Sequence, residues 1–191
     1  MQILSFPELA TPADLRMQVK EIQEQAWPSD GVVDVDAPTH DPLLRPLSML
    51  LVDEGTVLAC LDILFKEIAH GGERFAAGGL STVVTSKRVR GLGYGRRLVT
   101  AARGEMIAQG LDLGLFTCDR PLQAFYESAG WRLLPGAVLV GGTPDDPFLS
   151  DQPDFDKVTM ADFFSAAARD AQASFHHSRI ELYPGHIDKL W

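Results

Sequence analysis

A glycine-punctuated turn, Arg90-Gly91-Leu92-Gly93-Tyr94-Gly95-Arg96-Arg97, narrows the possible folds of this chain more than any other stretch. The apolar segment Leu80-Ser81-Thr82-Val83-Val84-Thr85 before it has the character of a strand. After it, Gly95, Leu98, Val99, Ala102 and Met106 fall on one face of a helix that Gly110 should stop. Glycines at alternate positions leave backbone N–H groups uncovered where the helix begins, and the helix dipole adds positive potential at the same point. With Arg90, Arg96 and Arg97 around it, the turn suits a diphosphate better than a carboxylate. Its spacing, Gly91-x-Gly93-x-Gly95, is neither the Gly-x-Gly-x-x-Gly dinucleotide fingerprint nor a P-loop, which weakens both nucleotide readings. The bland alternative is a turn that only joins a strand to a helix.

The 191 residues are enough to bury a sizeable core without metal or disulfide, and 46% hydrophobic with 23% charged residues is ordinary for a globular protein. Cys60 and Cys118 both lie in apolar, strand-like runs, so no disulfide framework is expected and a reducing cytoplasm is the simpler setting. A net charge of −9 argues against a general nucleic-acid surface. It is compatible with a cationic substrate, but solubility explains an acidic surface equally well. The opening residues Met1 to Phe6 lack a basic region, and no apolar run approaches a bilayer span, so neither an export signal nor a membrane segment is expected.

Taken in order, residues 2 to 6 read as a strand. Thr11 is a candidate N-cap, with Pro12 in the first turn, for a helix carrying Leu15, Val19, Ile22 and Ala26 to about Trp27. An acidic connection follows, with Asp30, Asp34, Asp36 and Asp41, which either is solvated or faces a substrate. Met49 to Val52, Val57 to Phe65 and Phe75 to Thr85 form a meander turned at Asp53-Glu54-Gly55 and His70-Gly71-Gly72. Gly78-Gly79 suggests a bulge or a close backbone approach. Leu113 to Cys118 reads as a buried parallel strand, Leu122 to Ala129 as a helix ended by Gly130, and 131–134, 137–140 and 158–163 as further strands. The segment 174–191 has no clean period. This order predicts an α/β fold with a mixed sheet flanked by helices, in one domain over 1–191 with 174–191 as an extension near the substrate site.

At this point two motifs carry a resemblance. Arg90-x-x-Gly93-x-Gly95 after a Val-rich strand resembles the pyrophosphate loop of the GCN5-related N-acetyltransferases (GNATs), and Phe125-Tyr126-Glu127-x-x-Gly130-Trp131 is similar to that family's later Tyr-containing segment. The resemblance implies a GNAT-like, mostly antiparallel sheet and acetyl-CoA as acyl donor. Backbone groups of Val83, Val84 and Thr85 would bind the pantetheine arm, and Arg90, Gly91, Leu92, Gly93, Tyr94, Gly95 and Arg96 the diphosphate. Tyr126 would be the acid for the leaving thiolate; its alternative is a core aromatic. The implied chemistry is direct attack by a neutral amine, with no unique base named by the sequence and Ser81 as a candidate to hold a water. Cys118 reads as structural. His40, His70, His176, His177 and His186 show no pairing by spacing, and no metal site is expected.

On the acceptor side, the loop Thr143-Pro144-Asp145-Asp146 and the closing Ile187-Asp188-Lys189-Leu190-Trp191 resemble the aminoglycoside 2'-N-acetyltransferases, and Tyr183-Pro184-Gly185 the nodulation N-acyltransferases. This likeness implies Asp145, Asp146, Asp188 and Trp191, with its chain carboxylate, as contacts for an amino sugar or aminoglycoside. Lys189 departs from that pattern. The expected partner is a small-molecule amine, with no nucleic acid or membrane; a homodimer is permitted. The alternative class is an acyl-CoA-binding sensor without catalysis.

Overall fold

A computed structural model describes residues 1–28, 31, 34–153 and 155–191 of the protein; Asp30 lies outside the described residues. The chain runs β1 (Gln2–Pro7), α1 (Ala13–Ala26), β2 (Leu47–Asp53), β3 (Thr56–His70), β4 (Glu73–Thr85), α2 (Tyr94–Ala108), β5 (Leu113–Asp119) and α3 (Gln123–Glu127). It continues through β6 (Arg132–Leu133), β7 (Val138–Gly142), β8 (Pro147–Leu149), β9 (Lys157–Phe163), α4 (Ala166–Phe175) and β10 (Arg179–Glu181). β1 to β4 pair antiparallel in sequence order, β5 joins β4 in parallel, and β9 and β6 complete the sheet as β1-β2-β3-β4-β5-β9-β6.

Alternation along the strands splits the core between two faces of this sheet. Leu50, Val52, Cys60 and Val84 point to one face and pack against Leu15 and Ile22 of α1. Their neighbours Met49, Leu51 and Leu61 point to the other, where Leu98, Val99, Ala102 and Met106 of α2 cover them. The stripe foreseen for α2 is therefore the buried one. Left-handed Glu54 and Gly55 make the β2–β3 turn, and Gly71 and Gly72 the next. Both cysteines are free and buried.

Three expectations change. Thr11 does not cap α1: Pro12 takes the cap position, and the Thr11 hydroxyl is buried without a partner among the described residues. The strand 137–140 belongs not to the main sheet but to a second one, ordered β10-β7-β8. α4, whose Ser165 side chain accepts from the N–H of Ala168, precedes the stretch 174–191 that lacks a clean period, and within that stretch β10 forms parallel to β7. Ser165 and the buried Ala168 and Phe175 mark α4 locally, whereas pairing with β7, rather than periodicity of its own, forms β10.

Gly78-Gly79 proves to be a close approach, not the bulge. A Cβ on Gly79 would sit 2.4 Å from Trp191 Cγ, and one on Gly141 of β7 would sit 1.7 Å from the Lys189 carbonyl oxygen. The Gly141 contact is with backbone, which cannot swing away. Gly141→Ala should therefore cost about 2–3 kcal/mol and loosen the C-terminal segment, measured by urea unfolding and by faster amide exchange at Gly142, whose N–H is bonded to the same carbonyl.

Candidate active site

β4 and β5 pair only through Ala77–Leu113 and Gly78–Gly114, after which they diverge, while β5 stays paired with β9 from Leu113 to Asp119. On the other side of β4 the register with β3 shifts between Cys60 and Asp62, so Leu61 faces both Thr82 and Val83. Such a bulge bends its strand away from the neighbour. The gap opens into a cleft of about 690 Å³. Its lining brings together the segments read from the sequence: Val83 to Thr85, Arg90 to Arg96 except Leu92, and Tyr126. Leu92 is 62% exposed and points elsewhere. Trp27, at the end of α1 and 54% exposed, also lines the cleft and was not foreseen.

Gly91 (φ 81°) and Gly93 (φ 80°) are left-handed, a conformation that side chains resist, and Gly93 stands at the start of α2 with no side chain capping the first N–H groups. Gly95 lets the helix approach β4, since a Cβ there would lie 2.7 Å from Thr85 Oγ1. Arg90 Nε donates to the Thr85 carbonyl at 3.2 Å, which stations its guanidinium beside the loop. Arg97 instead reaches Met1 Sδ at 2.9 Å and turns away. Uncapped N–H groups with Arg90 and Arg96 at hand fit a diphosphate.

Tyr126 is buried between Phe116 and Phe125, edge-on to each at 4.9 Å. Burial, helped by Cys118 and Asp119, raises its phenol well above the usual value, so it stays protonated. Burial likewise pushes the Cys118 thiol up to about 11, aided by Asp119, and removes it as a nucleophile near neutral pH.

The acceptor-side candidates divide. Ser81 is half-buried on β4, opposite Asp62. Asp145 and Asp146 are exposed in the turn between β7 and β8, where the Asp146 N–H is bonded to Thr143, and neither lines the cleft. Asp188 is 7% exposed and engaged elsewhere. Trp191 is buried over Gly79, its main-chain oxygen accepting from the Thr117 N–H of β5 at 3.1 Å. The acidic connection folds back on α1, with Arg16 3.1 Å from Asp36 and Lys20 donating to Thr39 at 2.8 Å.

A buried ionic cluster went unforeseen. His40, read as unpaired, lies between two carboxylates: Nδ1 is 2.6 Å from Asp188 Oδ1 and Nε2 is 3.3 Å from Asp62 Oδ2. Ser48 Oγ donates to Asp62 Oδ1 and Thr82 Oγ1 to Asp62 Oδ2, each at 2.5 Å. The Asp41 N–H donates to Asp188 Oδ2 at 2.8 Å. Burial alone would lower the imidazole's pKa, but the hydrogen bonds and charges of Asp188 and Asp62 outweigh it and raise it to about 10. A signal existed: Asp62 is the one carboxylate inside the apolar run Val57 to Phe65, and such a group needs a buried partner.

A parallel strand pair that parts beside an uncapped helix start marks the class of acyltransferases that draw their acyl group from a coenzyme A thioester. The model of the acetyltransferase (GNAT) domain matches residues 10–134, and the chain belongs to that family. It is an N-acetyltransferase with acetyl-CoA as donor. Among solved structures it is similar to an acyl-CoA N-acyltransferase from Pseudomonas aeruginosa, with a TM-score of 0.59 and 15% identity over 84% of this chain and 97% of that one. An aminoglycoside 6'-N-acetyltransferase complexed with coenzyme A matches at TM-score 0.55 and 14% identity, covering 86% and 98%. The glucosamine-6-phosphate N-acetyltransferase of Arabidopsis thaliana matches at TM-score 0.53 and 18% identity, covering 68% and 91%. At these identities the likeness is one of fold. No curated protein matches the chain. Among the described residues, no helix is long and apolar enough to cross a membrane.

Proposed function

We propose that the protein acetylates the amine of a small amino-sugar-like molecule, an aminoglycoside being one such acceptor, with direct transfer and no acyl-enzyme. The observation that carries this reading is that the glycine loop and Tyr126 line one cleft, so diphosphate and thioester ends of one donor have partners there. Acetyl-CoA supplies the activated acyl group. The N–H groups from Gly91 to Arg96 and the Arg90 and Arg96 guanidiniums hold the diphosphate, and the free β5-facing edge of Val83 to Thr85 orients the pantetheine arm.

Tyr126 donates a hydrogen bond to the departing sulfur. Because its phenol is pushed above its ordinary value, it stabilises a thiolate rather than surrendering a proton to one, whose own pKa is about 8.5 as for a free thiol. The amine must arrive neutral, and Ser81, two residues before Val83, is the candidate to hold a water that takes up its proton. The net charge of −9 is compatible with a cationic acceptor, and the two similar structures named for aminoglycoside and glucosamine-6-phosphate acetylation support the amino-sugar class. Asp145, Asp146, Asp188 and Trp191, like Ser81, lie outside the lining of the donor cleft, so the donor assignment does not depend on them.

Calorimetric titration with acetyl-CoA, followed by thiol release against aminoglycosides, glucosamine derivatives, polyamines and peptides, tests the proposal. Turnover confined to an amino sugar is the expected outcome. Turnover only on peptides would refute the acceptor class, and tight donor binding with no turnover on any of the four would favour a sensor.

A further inference from the structure

The bulge in β4 that opens the cleft contains a residue in a conformation its side chain opposes. Thr82 has φ 48°, in the left-handed region, where a β-branched residue is a true outlier. Such a conformation persists only where the surroundings over-determine it, and here the tie is visible. The Thr82 hydroxyl donates to Asp62 Oδ2, and Asp62 is itself fixed by Ser48 and by His40, with Asp188 behind His40. Asp62 is 4% exposed and His40 2%, so neither competes with water for these bonds.

Thr82 is also next to Val83, the first residue of the cleft-lining segment. The extra residue decides which side chain faces which way: beyond the bulge Val84 packs on the α1 face and Val83 against the opposite core. In a regular strand a one-residue slip would exchange these faces and turn the free backbone edge away from the donor.

We propose that Thr82, Asp62 and His40 are positioning residues for the acyl donor, which hold the β4 bulge in the conformation that presents the backbone of Val83 to Thr85 to the pantetheine arm. This rests on the donor cleft described above. None of the three lines the donor cleft; they act through the backbone of β4. The hydroxyl of Thr82 is the point at which the buried cluster grips the strand, so loss of that one group should be felt in donor binding.

Three variants of the full chain test this: Thr82→Val, which removes the hydroxyl at nearly constant shape, Thr82→Gly, which removes it while accepting positive φ without strain, and Thr82→Ser, which retains it. Coenzyme A affinity is measured by calorimetry on samples whose circular dichroism matches the unaltered protein, and KM is measured separately for acetyl-CoA and for the acceptor. The expected result is about tenfold weaker coenzyme A binding and a raised acetyl-CoA KM in the Val and Gly variants, an unchanged acceptor KM, and recovery to within about twofold in the Ser variant. If Thr82→Val fails to fold, Thr82→Gly carries the test. A folded Thr82→Gly that binds coenzyme A as tightly as the unaltered protein overturns the proposal alone. Failure of the unaltered protein to bind coenzyme A overturns the donor cleft and the proposal together.

Discussion

Tyr126→Phe should lower kcat about a hundredfold while leaving the acetyl-CoA KM within about twofold of the unaltered enzyme. The ring's packing against Phe116 and Phe125 is retained in the variant, so the fold loses little. What disappears is one donor aimed at charge that develops only as the carbon–sulfur bond breaks. An interaction made mainly in the transition state appears in kcat and not in KM. Steady-state kinetics with the acceptor identified in the panel would check this. A matching fall in kcat with acyl donors whose leaving thiols are more acidic should be smaller, because they need less help. A Phe variant with unaltered kcat would confine Tyr126 to the core.

His40→Ala should destabilise the protein by about 3–5 kcal/mol, because Asp62 and Asp188 would remain buried without the cation between them. The cluster also sets a pH dependence. His40 is raised from 6.5 to about 10, burial opposing the shift and the two carboxylates overriding it. Below pH 6.5 the imidazole is charged folded and unfolded, and its contribution is fully present. Between 6.5 and about 10 the unfolded chain gives up the proton first, so the contribution declines, and it is gone above about 10. Unfolding free energy should therefore fall as pH rises from 7 to 9.5, and the conservative variant His40→Gln should flatten that slope. Parallel slopes for the two proteins would show that His40 is not the charged centre.

The parts legible in the sequence were those whose signal is local. The meander from Met49 to Thr85 shows itself because alternation and two glycine turns fix strand and reversal within a few residues. The α2 stripe, the loop at Arg90 to Arg96 and Tyr126 on its short helix were legible for the same reason: strand, turn and helix start are adjacent in the chain. The second sheet was not. β7 finds β10 rather than a main-sheet strand, and β10 forms in a stretch without its own periodicity.

Asp188 illustrates what a linear reading misses. From sequence it resembles an acidic substrate contact near the end of the chain, yet it is buried against His40, 148 residues away. His40, Asp62 and Asp188 come from a loop, a central strand and the C-terminal segment, and no spacing rule connects them. The sequence by itself determined the βα turn, the glycine loop and the place of Tyr126 on its short helix, because backbone freedom at glycine and helical periodicity act over a few residues. Only the tertiary structure decided that a buried cation would join two carboxylates beside a strained Thr82, because the cost of burying a charge is settled by whichever groups the fold brings within hydrogen-bonding distance.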